Sequence, residues 1–191
     1  SKTNFLVMSS LENTTNDSIS YVFALMDGQL KPIWTRRMSI KNPSPFYSGG
    51  PGIADATMDE EGNIYIMGTT LGFMEKPTVT IHKLNVGGNA VWTSSIALDK
   101  TNLGNARIKS IGNHLVIIAE GGIGGSISLR VNKTTGDPIN AYLFDNVSAG
   151  YAYRRTFDWI GDRFLYGGHK STDNFLMTSF NLFLKAKLNF L

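Results

Sequence analysis

"DEEGNIYIMGTT", Asp59 to Thr70, sets an acidic turn and a Gly-Asn corner ahead of a short apolar strand. No helical pattern follows. A second strand opens "VTIHKLNVGGNAVW", Val79 to Trp92, and runs through another Gly-bearing turn into a third. Gly and Asn tolerate the positive φ that tight hairpin turns require, so the stretch predicts strands joined by corners. A calcium loop and a phosphate cradle are the competing readings, and both fail on what surrounds the glycines.

An EF-hand-like loop alternates oxygen ligands and ends on a bidentate Glu twelve residues in. Here the corresponding positions are strand. The acidic cluster Asp59, Glu60 and Glu61 therefore reads as a hairpin corner with its carboxylates facing water. A phosphate cradle needs a helix N-terminus directly after its glycines. "EGGIGGS", Glu120 to Ser126, runs instead into the strand "ISLRV", so it reads as a turn.

The corner recurs. "GNHLVIIAEGG" from Gly112 and "GDRFLYGGHKS" from Gly161 repeat it at intervals of 50 and 49 residues, and "TNFLVMSS" from Thr3 repeats the strand without the glycine. A second series follows these strands: "YVFALMDGQLKPIW" from Tyr21, "VTIHKLNVGGNAVW" from Val79, "ISLRVNKTTGDPIN" from Ile127 and "NFLMTSFN" from Asn174. A third precedes the corners: "IADATMD", "ARIKSI" and "YRRTFDWI". Side by side they make units of four short strands. Ile64, Ile66 and Gly68 alternate with Tyr65 and Met67, and no 3.6-residue stripe persists. The fold class is all-β. Four antiparallel strands recurring about every 50 residues predict a β-propeller or part of one, since one twisted sheet buries neither face alone. The units run approximately 1–40, 53–98, 105–145 and 151–191, in a single domain. Three of the six prolines fall in Ile40–Gly52, read as an elaborated loop between units.

The best unit resembles the bacterial seven-bladed-propeller repeat (SBBP-type). Asp59, Gly62, Asn63, Tyr65, Gly68 and Thr70 match the first half of its pattern, and Lys83, Leu84, Asn85, Gly88 and Trp92 the second, with the last spacing one residue short. The units around Gly112 and Gly161 keep the corner and lose the Tyr. The resemblance implies propeller architecture in proteins mostly exported or surface-exposed, and it brings no catalytic residues. The first unit lacks its leading strand, and "LFLKAKLNF" from Leu182 is a weak candidate for the last one. The units make either a four-bladed ring of unusual closure or, the favoured expectation, part of a larger ring.

The 191 residues suit one well-cored domain. Hydrophobic content of 42% with 17% charged residues is that of an ordered protein, and the net charge is only +3. Arg36-Arg37 and Arg154-Arg155 stand outside any Lys/Arg run that would track a phosphate backbone, so nucleic acid is not an expected partner and both pairs read as solvated strand-edge charges. With no cysteine, disulfides and thiolate metal sites are excluded. No apolar run is long enough to span a bilayer, and Asn181, Lys185, Lys187 and Asn189 interrupt the apolar tail.

Candidate chemistry is sparse. His82, His114 and His169 fall at different heights in different units and are not expected to converge on a metal or a catalytic dyad. Trp34 and Trp92 hold equivalent repeat positions, which favours packing between units over a sugar-binding surface. If "YAYRRTFDWI" is the strand nearest a central channel, Arg154, Arg155 and Asp158 are placed to meet a polar partner there. Sequons at Asn13, Asn16, Asn132 and Asn146 barely exceed chance, fall in predicted loops, and favour an extracellular or cell-surface glycoprotein. No cofactor is expected. The leading reading is a non-catalytic scaffold that binds another protein or identical copies. The alternatives are a propeller-type enzyme (a quinoprotein-like oxidoreductase or glycan hydrolase) and a carbohydrate-binding module.

Overall fold

The computed structural model describes residues 4–13, 18–41, 52–70, 77–98, 103–121, 126–144, 157–160, 163–170 and 174–181. Among them lie fourteen strands and no helix, in four antiparallel sheets. The first holds β1 (Phe5–Asn13), β2 (Ser18–Met26) and β3 (Pro32–Lys41). The second holds β4 (Gly52–Met58), β5 (Ile64–Thr70), β6 (Thr78–Leu84) and β7 (Ala90–Ala97). The third holds β8 (Leu103–Ile111), β9 (His114–Gly121), β10 (Ser126–Asn132) and β11 (Pro138–Phe144). The fourth holds β12 (Phe157–Ile160), β13 (Arg163–Lys170) and β14 (Asn174–Asn181). Every sheet is a meander in chain order. Among the described residues the first sheet runs β1–β2–β3, with β1 at its edge.

The turns repeat in chemistry as well as in sequence. Asp27 Oδ1 accepts the N–H groups of Gln29 and Lys31, and Asn85 Oδ1 accepts those of Gly87 and Asn89. These are side-chain mimics of a backbone turn, which is why Asp or Asn opens each one. In the third sheet the turn is one residue longer, and Asn132 Oδ1 accepts from Thr134 and Thr135.

The first three sheets stack face to face, with apolar residues on both sides of the second sheet's middle strands. Ile64, Ile66 and Leu84 pack with Tyr21, Phe23 and Leu25 of the first sheet. On the opposite face, Tyr65, Met67, Val79 and Ile81 pack with Ile108, Leu115, Ile117 and Leu129 of the third. A fully buried Ile or Leu contributes about 2 kcal/mol, so these two seams dominate the stability of the described residues. This is the stacking of propeller blades.

Strand register corrects the letter-by-letter alignment at one place. Met58 pairs with Ile64 across the five-residue corner Asp59–Asn63, whereas Ile111 pairs with His114 across two residues. Ile64 pairs with Leu84 and Leu115 with Val131, each just before the Asn of its turn. Leu115 therefore takes the place of Ile64, and aligning Gly62 on Gly112 displaces the third sheet by one residue. Loop length sets register, and one residue of slip exchanges the two faces.

Candidate functional site at the seams between sheets

The inner seam is built from β4 and β8, which lie side by side. A bulge falls between Ile53 and Asp55, and the Asp55 side chain reaches β8. Its Oδ2 accepts the backbone N–H of Ile108 at 3.1 Å, and its Oδ1 lies 3.4 Å from the Arg107 guanidinium. Two residues on, Thr57 Oγ1 accepts the N–H of Ser110 at 3.3 Å. Side chains of one sheet thus satisfy the edge N–H groups of the next. The two edges stay close without merging into one continuous sheet.

The acidic corner supports the sheet below it. Asp59 is 9% exposed, against the expectation that all three carboxylates face water; Glu60 and Glu61 do. Asp59 Oδ1 accepts the Asn63 N–H at 2.8 Å. Its Oδ2 accepts the Asn63 side-chain amide at 3.0 Å and the Tyr65 hydroxyl at 2.9 Å. Lys133, from the third sheet, lies 3.5 Å from both Asp59 Oδ2 and Glu61. Burial opposes ionisation of Asp59, but the Asn63 and Tyr65 hydrogen bonds outweigh it and hold the carboxyl at about 2. Burial, then the bond to Asp59, pushes the Tyr65 phenol up. The corner is a hydrogen-bonded cap, and its charge is committed to Tyr65 and Lys133.

The outer seam is a latch. Trp34 Nε1 donates to the Val86 carbonyl at 2.9 Å, and Arg36 donates to the carbonyls of Gly87 and Gly88 at 2.9 and 3.2 Å. Arg36 is therefore a link between sheets, which corrects its reading as a free strand-edge charge; Arg37 donates to Ser20 Oγ. Gly88 has φ 75°, and a Cβ there would sit 2.9 Å from the Trp34 ring. The contact between glycine and tryptophan recurs one sheet later, without the indole hydrogen bond. Gly136 has φ 81°, and its Cβ would sit 3.0 Å from Trp92. Trp92 also lies 6.0 Å from the Tyr65 ring, with Lys83 Nζ 5.5 Å from that ring's centre. The equivalence of the two tryptophans reflects packing between sheets, as their repeat position indicated.

No family model and no curated protein matches the chain. Solved structures do. The crystal structure of TolB from Acinetobacter baumannii matches over 94% of this chain and 41% of that one, at 11% identity and a TM-score of 0.44. A GH43 glycoside hydrolase, engineered at its active site for both endo-xylanase and exo-arabinofuranosidase activity, matches over 90% of this chain and 36% of its own, at 14% identity and a TM-score of 0.48. The chain spans about two fifths of the length of these structures. Neither carries an activity to this chain. The assignment of fold rests on the sheets themselves.

The histidines lie on three different sheets, in β6, β9 and β13. His82 Nδ1 shares a 2.9 Å hydrogen bond with Thr93 Oγ1, and burial lowers its affinity for a proton. Burial and then the Arg130 charge do the same to His114. Among the described residues no group of three His, Asp or Glu side chains is placed to hold a metal. Asp158 lies on β12, the leading strand of its sheet, while Arg154 and Arg155 lie outside the described residues. Of the sequons, Asn13 ends β1 and Asn132 ends β10, so neither is in open loop; Asn16 and Asn146 lie outside the described residues. Sequence reasoning missed Asp55 and Arg36 as linking residues. No signal for either exists within its own strand, since the partners are backbone groups of another sheet. No described helix is long and apolar enough to cross a membrane.

Proposed function

We propose that the chain is a non-catalytic propeller scaffold whose sheet faces and loops bind another protein or identical copies. The observation that supports it most is the use made of charge at the seams: Asp55, Asp59, Arg36, Arg107 and Lys133 are each engaged in holding one sheet to another or to its own corner. The reading places the chain in a ring of more than these four sheets, of the SBBP type that Asp59–Trp92 resembles. It also places the protein outside the cell or on its surface, with glycans on Asn13, Asn16, Asn132 and Asn146, and gives Arg154, Arg155 and Asp158 a polar partner at the channel mouth.

The test is cross-linking mass spectrometry on the protein purified with its native companions. The scaffold reading expects reproducible cross-links from lysines of this chain to a second polypeptide, weakened at least about tenfold in the triple variant Arg154→Ala, Arg155→Ala, Asp158→Ala. Turnover of aryl glycosides, or reduction of a quinone dye, by the purified chain would replace the scaffold with an enzyme.

A further inference from the structure

The seam between the first and second sheets differs in chemistry from the seam between the second and third. Ile66 pairs with His82 and His82 with Thr93, as Ile117 pairs with Leu129 and Leu129 with Ala141. His82 and Thr93 are thus the counterparts of Leu129 and Ala141. By the same register Thr80 and Ser95 stand where the third sheet has Ile127 and Leu143. In the second seam Leu129 and Ala141 are buried apolar residues. In the first, the same places are polar and bonded to one another. His82 Nδ1 shares its 2.9 Å hydrogen bond with Thr93 Oγ1, and Thr80 Oγ1 shares one of 3.2 Å with Ser95 Oγ. Cross-strand partners lie on one face, so the strip turns with Ile66 toward the first sheet.

An imidazole in that place does what leucine cannot: it takes up a proton. Among the described residues, two titratable or charged side chains face His82 across the seam, Arg36 of β3 and Tyr21 of β2. Its neighbours on its own sheet, Ile66 of β5 and Thr93 of β7, carry no charge. Arg36 is committed to the Gly87 and Gly88 carbonyls, and the Tyr21 hydroxyl is buried without a partner. Burial holds the half-buried imidazole below its ordinary 6.5, and no carboxylate offsets that. A proton on His82 adds a second cation to the seam with no counter-charge to meet it.

We infer that the first seam is an acid-sensitive joint: protonation of His82 weakens the hold of the second sheet on the first and leaves the second seam closed. The joint goes beyond the scaffold reading and does not depend on it. The opened seam binds the proton more tightly than the closed one. The first seam is therefore fully held above about pH 6.5 and loses strength as pH falls below that value. Asp59 titrates in a separate, lower window. His114 alternates along β9 with Leu115 of the second seam, so it faces away from both seams.

Hydrogen exchange of the indole N–H groups in the intact chain tests it, followed by nuclear magnetic resonance at about pH 7.5 and about pH 5.5 and corrected for intrinsic rates. The Trp34 N–H donates across the first seam to Val86, whereas Trp92 packs across the second. The expected result is an opening constant at Trp34 that rises at least about threefold at the lower pH, with Trp92 unchanged. In His82→Gln, which keeps a partner for Thr93 and cannot take the proton, the rise disappears. The double variant His82→Leu, Thr93→Ala installs the third sheet's pair and abolishes it too, while His114→Gln leaves it in place. No rise at Trp34, equal rises at both indoles, or a wild-type rise in either His82 variant folded by circular dichroism overturns the proposal. Each of those results leaves the scaffold reading standing, whereas catalytic turnover removes that reading and leaves the joint intact.

Discussion

Asp59→Ala is expected to lower the unfolding free energy by about 3 kcal/mol, among the largest losses available to a single surface-corner substitution. The change leaves the Asn63 N–H, the Asn63 amide, the Tyr65 hydroxyl and Lys133 without their shared acceptor. Tyr65 is fully buried, so its hydroxyl has no water to turn to. Urea unfolding at neutral pH measures the loss, and a variant within about 0.5 kcal/mol of wild type would show that the cap is ornamental. The same carboxyl gives an acid signature. Its folded value of about 2 lies below its ordinary 3.8, so ionised Asp59 stabilises the fold. That contribution, roughly 2 kcal/mol, is complete above about pH 4 and is lost as pH falls through 2. Asp59→Asn, which cannot ionise, is expected to flatten the stability curve over that window.

Exchanging the residues at one turn position between two sheets is expected to give opposite results. Gly88→Leu forces a side chain into left-handed backbone, at about 1–2 kcal/mol, and drives its Cβ against the Trp34 ring. The sum is a loss of about 3 kcal/mol. Leu30→Gly does the reverse. It relieves a φ of 60° at an exposed site and is expected to leave stability within about 1 kcal/mol of wild type. Thermal and urea unfolding of both variants settle the matter. A Gly88→Leu loss no larger than the gain from Leu30→Gly would mean that turn geometry alone, and not the neighbouring tryptophan, demands glycine at Gly88.

The corners and hairpins were legible because positive φ leaves a local mark: Gly62, Gly88, Gly112 and Gly136 all hold it. The pairing of Trp34 with Trp92 was legible because the repeat carries them in step. Three features were not. Which of Asp59, Glu60 and Glu61 turns inward depends on Tyr65 and on Lys133 of another sheet. The targets of Arg36 are carbonyls of a turn in the next sheet, which no spacing within β3 encodes. The one-residue offset at His114 comes from a shorter corner that still contains Gly-Asn, so the letters align where the strands do not. Arg154 and Arg155, the residues nearest to a candidate interaction site in the sequence, lie outside the described residues.

Successive sheets lying face to face across apolar seams is the claim on which the rest depends. Nuclear Overhauser effects between isotope-labelled isoleucine methyls and aromatic rings read it directly. The account predicts cross-peaks from Ile64 and Ile66 to the rings of Tyr21 and Phe23, and from Ile117 to Tyr65. Cross-peaks confined to partners within each sheet, with none joining one sheet to the next, would contradict it.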